Sequence, residues 1–375
     1  IQVGWTSSTL DVRLFGVGGK SSTAGGSGIS PVGGGPPSPG VETPGYYMPS
    51  LRDEEGAVLA CGPIMDGTVE TLRGDDTAVL LMAYGGPSSL EDVEPFLHDI
   101  RGGRPTSAEL VEEIRGRYAA IGGRSPLLEI TRTQAGALAE RLGLPVYVGM
   151  RHWHPYVREV VPEIARTAPR RLVALCLAPH YSRMSIGAYH RALDEALAEA
   201  QAATGWRPEV AKVDSFHLHP RFVEAVAAKV REGLARFAEP SRVLTIFTAH
   251  SLPERILAEG DPYVRQVEES ARAVAAQIPG LDWTRCWQSA GAAGGPWLGP
   301  ALEEVVREQA AAGRKDLLIC PIGFVTDHVE VLYDVDIEAN AIARAAGARL
   351  ERTGSLNTDP LFIEALAEVV SRHSA

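Results

Sequence analysis

The sequence predicts an α/β fold of two Rossmann-like domains, each built on a doubly wound parallel sheet. Short apolar runs, such as residues 77–83 (TAVLLMA) and 243–249 (VLTIFTA), alternate with segments that carry apolar residues at helical spacing. This alternation is typical of parallel sheets covered by helices on both faces. About eight strands are expected, which is too many for one small doubly wound unit. A TIM barrel would fit that number, but the long loops at 84–107 and 178–185 favour two Rossmann-like halves.

The predicted elements follow in chain order. After the strand at 77–83, a helix opens at Ser89, where Asp92 completes a capping-box spacing. A second helix runs from Thr106 to Ile121, and a third runs from Ser125 to Leu142. The remaining strands are predicted at 145–150, 171–177, 209–213, 243–249, 283–288 and 316–321, with a last one near 348. The helices that follow them, in the same order, are predicted at 155–167, 186–204, 220–237, 261–278, 301–312, 327–346 and 360–373.

The first 75 residues differ from the rest of the chain. Residues 16–40 are dominated by Gly, Ser, Pro and Thr, a composition that buries too little apolar surface to offset the entropy of ordering. We therefore expect a disordered, flexible tail at 1–75. The domains are then expected at 76–179 together with 352–375 (domain I) and at 180–351 (domain II).

The composition is that of a soluble globular protein, with 45% hydrophobic and 22% charged residues. A net charge of −11 argues against partners such as nucleic acid or an anionic membrane surface. No apolar run is long enough to span a membrane, and no secretory signal pattern opens the sequence. The four cysteines show no metal-finger spacing. We expect a cytoplasmic monomer without a membrane span.

His250 stands where the predicted strand 243–249 ends and a turn containing Pro253 begins. In open α/β sheets, ligands bind at the carboxyl ends of the strands. His250 is therefore either a site residue or a histidine capped by the local turn. The stretch alone does not distinguish the two.

Three carboxylates repeat at four-residue spacing on the predicted helix 327–346, namely Glu330, Asp334 and Glu338, and Asp327 joins the same face. Like charges at this spacing repel each other, and a bound cation would remove the repulsion. Carboxylate oxygens suit divalent cations. For the stripe alone, a solvated acidic helix face is the favoured interpretation. Glu330, however, also follows an apolar strand, as His250 does.

Polar and aromatic residues gather in the loops that follow the predicted strands. Guanidinium groups bind carboxylates through two parallel hydrogen bonds, and aromatic rings supply flat apolar surface. The loops thus indicate a large, flat, anionic ligand together with a metal, although any single arginine could simply cover a helix end. The residues concerned include Tyr84, Arg101, Arg104, Arg117, Tyr118, Ser125, Trp287 and Trp297.

Nine motifs occur in a fixed order along the chain. They are MAYGGP (82–87), RYAAIGGRSPL (117–127), GMRHWHP (149–155), LAPHYS (177–182), TAHSLPE (248–254), GDPY (260–263), WQSAG (287–291), PWLGP (296–300) and GFVTDHVEVLYDVDIE (323–338). In these motifs the chain resembles the ferrochelatase family over nearly all of residues 77–374.

The resemblance implies insertion of ferrous iron into a porphyrin held in the cleft between the two domains. It makes His250 and Glu330 the catalytic, metal-contacting residues on opposite faces of the macrocycle. It makes Asp334 and Glu338 a secondary path for metal or protons. A neutral imidazole can accept a pyrrole proton, but which residue takes protons and which binds iron stays open. Iron is a substrate, and neither a prosthetic group nor an iron–sulfur cluster is expected.

The turn Met82-Ala83-Tyr84-Gly85 is similar to that of members from Gram-positive-type bacteria, which take coproporphyrin III. The resemblance implies that Tyr84 can approach the product iron as an axial ligand, and that the product is Fe-coproporphyrin III (coprohaem) in haem biosynthesis. The chain departs from the family at Leu97, where an aromatic is expected, and at Gly102, where a second arginine is expected. The implied porphyrin-binding residues are Tyr84, Arg101, Arg117, Tyr118, Ser125 and Tyr189.

Other functions were weighed against this one. Protoporphyrin IX is the competing substrate. A cobalt or sirohydrochlorin chelatase would lack the combination of TAHSLPE and DHVEVLYD. A non-catalytic haem or porphyrin carrier binding through Tyr84 is a third possibility. A dinucleotide enzyme is disfavoured because no GxGxxG follows the first strand.

Overall fold

The computed structural model of the chain describes residues 77–291 and 295–374. The predicted tail at 1–75 lies outside the described residues. The first part of the fold contains β1 (Thr77–Ala83), α1 (Val93–Ile100), α2 (Ala108–Ala120), α3 (Leu127–Leu142), β2 (Val146–Met150), α4 (Val157–Thr167), β3 (Arg171–Cys176), α5 (Ile186–Thr204), β4 (Glu209–Val213) and α6 (Pro220–Leu234).

The second part follows a short 3₁₀ turn, Pro240–Arg242. It contains β5 (Leu244–His250), α7 (Arg255–Ala258), α8 (Tyr263–Ala276), β6 (Trp283–Gln288), α9 (Leu302–Ala311), β7 (Asp316–Cys320), α10 (Val329–Leu332), a π-helix (Asp334–Ala339), α11 (Asn340–Ala345), β8 (Arg349–Arg352) and α12 (Pro360–Ser374).

The described strands form two parallel sheets of four strands, which confirms the predicted α/β fold. The first sheet has the order β2-β1-β3-β4 and the second has the order β6-β5-β7-β8. The two therefore repeat one arrangement, in which the first strand in sequence lies second in the sheet. All side chains of β1 are buried, as expected of a central strand covered on both faces.

The sheets divide between β4 and β5. The pairing of Leu175 with Val213 keeps β4 in the first sheet. The domain boundary predicted at 179–180 therefore does not coincide with the division between the sheets. The reason is that β4 follows a long helix, α5, which crosses back to lay the strand beside β3. The closing helix α12 packs against α3 and α6, on the side of the first sheet.

Two helices begin later than predicted, because local hydrogen bonds hold the preceding residues in turns. The amide of Asp92 donates to the carbonyl of Ser89, and the Asp92 carboxylate accepts from the amide of Ser88. The first helix therefore begins at Val93. In α2 the hydroxyl of Ser107 accepts from the amide of Leu110, so Ser107, and not Thr106, is the N-cap.

The prediction of one continuous α-helix over residues 327–346 is wrong. The helical segment begins only at Val329, runs for one turn as α10, and continues as the π-helix Asp334–Ala339 before α11. In the π-helix, the amides of Ile337 and Glu338 both donate to the carbonyl of Tyr333. Such wide turns are rare and occur frequently at functional sites.

Asp327 does not join the acidic stripe. It precedes α10, and its carboxylate accepts hydrogen bonds from Ser355 and Asn357 on the chain that follows β8. No helix in the described ranges has the combination of length and apolar character needed to cross a membrane.

Candidate active site

The candidate site lies where the carboxyl ends of the central strands of both sheets meet. In each sheet the next strand in sequence lies on one side of the first strand, β1 or β5, and the strands after it lie on the other side, so the strand order reverses there. Such switch points open a crevice at the carboxyl ends of the strands. Tyr84 directly follows β1, and His250 is the last residue of β5. Both side chains line the same cleft.

Two glycines allow the chain to turn tightly around this cleft. Gly85, which follows Tyr84, has a φ of +94°. Any residue with a side chain would be strained in this backbone conformation, whereas glycine adopts it readily. Gly323 packs so closely against β5 that a Cβ there would lie 2.6 Å from the Cβ of Ala249. That contact holds the loop leading to Glu330 against the strand that carries His250.

The cleft is large and mostly apolar. It holds about 1120 Å³ of empty space, counting the part open to solvent. Its apolar walls come from the residues after β1, β3, β5 and β7 and from α1, including Ala83, Phe96, Ile100, Leu177, Leu252 and Val325.

His250 and Glu330 form a direct pair in this cleft, so they lie side by side and not on opposite faces of a macrocycle, as the resemblance implied. Nδ1 of His250 lies 2.9 Å from Oε2 of Glu330, and the side chains are 14% and 13% exposed. Burial raises the pKa of Glu330, but the His250 charge and hydrogen bond outweigh it, so the pKa ends below its usual value. An ionised Glu330 only accepts, so Nδ1 of His250 carries the hydrogen. In the neutral ring, Nε2 then keeps its lone pair, and this buried atom has no partner among the described residues.

Gln288 fixes the backbone at Glu330 to the strand of His250. Its side-chain amide donates to the carbonyl of Glu330 at 2.6 Å and accepts from the hydroxyl of Thr248 at 2.6 Å. Gln288 also pairs with His250 in the register of β5 and β6. Thr248 and Gln288 are 0% and 1% exposed. These buried hydrogen bonds hold the two site residues at a fixed separation.

A second acidic group lies behind Glu330. Asp334 is 2% exposed, lies 3.3 Å from Nη1 of Arg117, and accepts a short hydrogen bond from Ser289. Burial raises its pKa well above the usual value, Ser289 and Arg117 lower it, and the charges of Glu330 and Glu338 raise it further. The net direction is upward, so Asp334 retains a proton at a pH where Glu330 is ionised.

Tyr84 lies in the part of the cleft formed by the first sheet. Its ring centroid is 4.7 Å from that of His152, and its buried hydroxyl has no partner among the described residues. Burial raises the pKa of Tyr84 far above its usual value, although the charge of Arg151 lowers it. The hydroxyl is therefore a neutral phenol in the unliganded cleft.

The structure brings six of the predicted site residues to the cleft wall: Tyr84, Tyr118, Ser125, Tyr189, His250 and Glu330. Asp334 and Glu338 are not among the residues that line the cleft. Arg117, predicted to bind porphyrin, is instead buried against Asp334 and Glu113. Arg101 follows α1 outside the described lining of the cleft. Their predicted roles stay predictions.

Sequence reasoning missed several cleft residues. Phe96 supplies an aromatic wall one position before Leu97, where the family pattern suggested one, while Leu97 is buried in the core. His180 and His328 also line the cleft. The LAPHYS and DHVEVLYD stretches contained these histidines, but only the fold shows that they face the same space. Across the described ranges, no three His, Cys, Asp or Glu side chains cluster as a metal site.

Comparisons with known proteins agree with this geometry. A sequence model of the ferrochelatase family matches residues 76–374. A ferrochelatase from Deinococcus radiodurans is 44% identical over 306 residues, covering 79% of this chain and 96% of that protein. A coproporphyrin III ferrochelatase from Geobacillus sp. strain WCH70 is 40% identical over 302 residues, covering 78% and 96%.

Among solved structures, SirB from Bacillus subtilis with Fe³⁺ is similar in fold, with a TM-score of 0.53 at 11% identity. The match covers 80% of this chain and 96% of that one. The family model and the curated relatives together span the whole described region, including both sheets and the cleft between their strand ends. The chain belongs to the ferrochelatase family, the metal chelatases that act in haem biosynthesis.

Proposed function

We propose that this ferrochelatase inserts Fe²⁺ into coproporphyrin III to give Fe-coproporphyrin III. The observation that carries the insertion chemistry is the buried pair of His250 and Glu330 in a mostly apolar cleft. The choice of porphyrin rests on Tyr84 in the cleft wall, and it is supported by relatives named coproporphyrin III ferrochelatase or coproporphyrin III ferrochelatase 2 at 36–40% identity.

Insertion replaces two pyrrole N–H hydrogens by one Fe²⁺, so two protons must leave the ring. His250 takes the first proton at Nε2, whose lone pair lies in the cleft with no other described partner. The imidazolium that forms is stabilised by the ionised Glu330 on its Nδ1 side. In a site of low dielectric this ion pair is stronger than in water.

The two remaining tasks are binding of Fe²⁺ and removal of the second proton, and we assign them to Glu330 and Asp334. Glu330 is the anionic group beside His250, suited to attract Fe²⁺ and to replace part of its water shell. Asp334, whose raised pKa favours the protonated form, relays the second proton by releasing its own proton toward Glu338 and taking up the incoming one in its place. Glu338, one turn further along, continues this path toward solvent. Neither step requires a covalent intermediate.

The apolar walls bind the face of the macrocycle and exclude water from the reacting nitrogens. Phe96, Leu252 and Val325 supply flat or branched apolar surface on different elements. Tyr118, Ser125 and Tyr189 provide hydroxyl groups toward the substituents of the ring. Arg101 is the cationic partner for a propionate, whereas a propionate that reaches Arg117 must compete with Asp334.

Tyr84 distinguishes substrate from product. As a neutral phenol it imposes no charge on the free porphyrin. Once iron is in the ring, its oxygen becomes a ligand on the face opposite His250. A bound cation lowers the pKa of an oxygen ligand, so product formation favours ionisation of Tyr84. The expected signature is a phenolate-to-iron charge-transfer band in the ferric product complex that is absent from a Tyr84→Phe variant.

The test is a pair of anaerobic assays with Fe²⁺, one with coproporphyrin III and one with protoporphyrin IX. We expect turnover of coproporphyrin III with a kcat/KM about tenfold or more above that for protoporphyrin IX. Equal turnover or a preference for protoporphyrin IX contradicts the substrate assignment. Turnover of neither porphyrin, with either bound in the cleft, would indicate a carrier.

A further inference from the structure

Arg352, at the end of β8, binds two carboxylates that bracket the catalytic segment. Nε and Nη2 of Arg352 lie 2.7 Å and 2.9 Å from the two oxygens of Asp336, a bidentate pair. Nη1 lies 3.4 Å from Oδ1 of Asp327. The Arg352 side chain is 14% exposed, so these contacts are largely shielded from water.

The two carboxylates lie on either side of the residues that do the chemistry. Asp327 is three residues before Glu330, and Asp336 is two residues after Asp334. Asp336 belongs to the π-helix, whereas Asp327 lies in the loop that leads into α10. One guanidinium group therefore holds both ends of the segment 327–336.

Asp327 is further fixed from the same side. Its backbone amide donates to the side chain of Asn357 at 3.0 Å, and its carboxylate accepts from Asn357 at 2.8 Å and from Ser355 at 2.6 Å. Nη1 of Arg352 also donates to Ser355 at 3.2 Å. Arg352 itself is anchored on the sheet, since it pairs with Ile319 of β7.

The segment needs such an external support. With four residues, α10 is far shorter than a helix that is stable through its own hydrogen bonds. The π-helix that follows is likewise a single short element. The position of Glu330 relative to His250 therefore depends on tertiary contacts on both sides, from Gln288 in the cleft and from Arg352 behind it.

We propose that Arg352 is a positioning residue for iron insertion, which acts by clamping Asp327 and Asp336 so that Glu330 keeps its contact with His250 and Asp334 keeps its contacts with Arg117 and Ser289. The inference rests on the roles proposed for those acidic residues. A lysine cannot replace the arginine, because an ammonium group cannot bind Asp336 in bidentate fashion while reaching Asp327.

The test compares Arg352→Lys with Arg349→Lys as a matched control. Arg349 lies on the same strand, but its side chain is 48% exposed, and it bonds to Glu351 at 3.0 Å and to the carbonyl of Arg236, both outside the segment 327–336. Each variant is assayed for iron insertion below its thermal transition. Porphyrin binding is measured separately by quenching of porphyrin fluorescence.

We expect kcat of Arg352→Lys to fall about 10- to 100-fold, since small displacements of a catalytic group cost this much. The KM and the binding constant for porphyrin should stay within about twofold, because Arg352 is not among the residues that line the cleft. Arg349→Lys should keep the wild-type kcat. A merely structural role would lower the thermal midpoint and the amount of folded protein without this separation of kcat from KM.

A second variant keeps the test decisive if Arg352→Lys does not fold. Asp336→Asn preserves the shape of the clamp and lies at a side chain that is 36% exposed. It should lower kcat in the same direction, and in the double variant with Arg352→Lys the two losses should not add. A folded Arg352→Lys or Asp336→Asn with wild-type kcat would overturn the inference, as would additive losses. Failure of the wild type to insert iron would instead refute the proposed function.

Discussion

Replacing Gln288 by leucine tests whether the buried amide bridge holds Glu330 in place. Leucine has nearly the same volume as glutamine but neither donates nor accepts hydrogen bonds. The change leaves the hydroxyl of Thr248 and the carbonyl of Glu330 without the partners that now lie 2.6 Å from each. Thr248 and Gln288 are both buried, so water cannot readily replace the lost partners.

The expected cost follows from these two lost hydrogen bonds. A buried polar group that loses its partner destabilises a protein by about 1–3 kcal/mol. Two such groups give about 2–6 kcal/mol, and the better burial of a leucine side chain offsets roughly 1–2 kcal/mol of it. These figures span roughly 0–5 kcal/mol, and we expect the free energy of unfolding to fall by about 2–3 kcal/mol, the middle of that range. Because Glu330 is then free to shift, kcat should fall about tenfold or more.

Urea denaturation gives the free energy of unfolding, and anaerobic iron insertion gives kcat. Gln277→Leu is the matched control, because Gln277 is exposed at the end of α8 and far from the cleft wall. It should change neither quantity. The double variant Thr248→Val with Gln288→Leu removes one of the two orphaned groups, so it should recover part of the stability but not the activity. A Gln288→Leu variant with wild-type stability and kcat would refute the bridge.

Three further outcomes are expected. Glu330→Gln should lower kcat about 100-fold or more by removing the anionic partner of His250, and full activity in the iron assay would exclude it from the mechanism. Burial raises the pKa of Asp334, so the folded protein loses stability as pH rises toward that pKa. The stability of Asp334→Asn relative to wild type should therefore increase as the pH rises above about 4, the ordinary pKa of an aspartate, in urea denaturation, and a constant difference would contradict the raised pKa. Gly323→Ala should cost about 1–3 kcal/mol in the same measurement, because its Cβ would lie 2.6 Å from that of Ala249. An unchanged stability would show that this contact is absent.

The bounds of several strands could be predicted closely, because a strand buried on both faces appears in the sequence as a continuous apolar run. The predicted range 77–83 matches β1, and the ranges of β4 and β6 match as well. The placement of His250 at a strand end followed from the same pattern, since the turn at Pro253 ends the apolar run. Such signals are local, so they are visible without the rest of the fold.

The interruption of the helix at 327–346 could not be predicted in this way. The acidic residues have the spacing of an α-helix, whereas the π-helix is held by contacts with residues far away in sequence, among them Ser289 and Arg352. For the same reason Asp327 was placed on the wrong face. Its partners Ser355 and Asn357 follow β8, and no local pattern links the two segments.

Arg117 illustrates the corresponding limit for charged residues. As a loop-flanking arginine it suggested an anion site for the ligand, but the fold buries it against Asp334, 217 positions away in sequence. Apolar cleft residues such as Phe96 were hidden for another reason. A helix residue that faces a cleft has the same periodicity as one that faces the core. Only the packing of the rest of the fold shows which of the two surroundings the residue has.

The most direct test of the account compares wild-type protein with His250→Ala in two measurements, coproporphyrin III binding by fluorescence quenching and anaerobic insertion of Fe²⁺. The account predicts that the variant binds the porphyrin within about threefold of wild type, because the apolar walls remain, while kcat falls by about 100-fold or more. A His250→Ala variant that binds porphyrin and inserts iron at the wild-type rate would contradict the assignment of the His250–Glu330 pair as the catalytic centre.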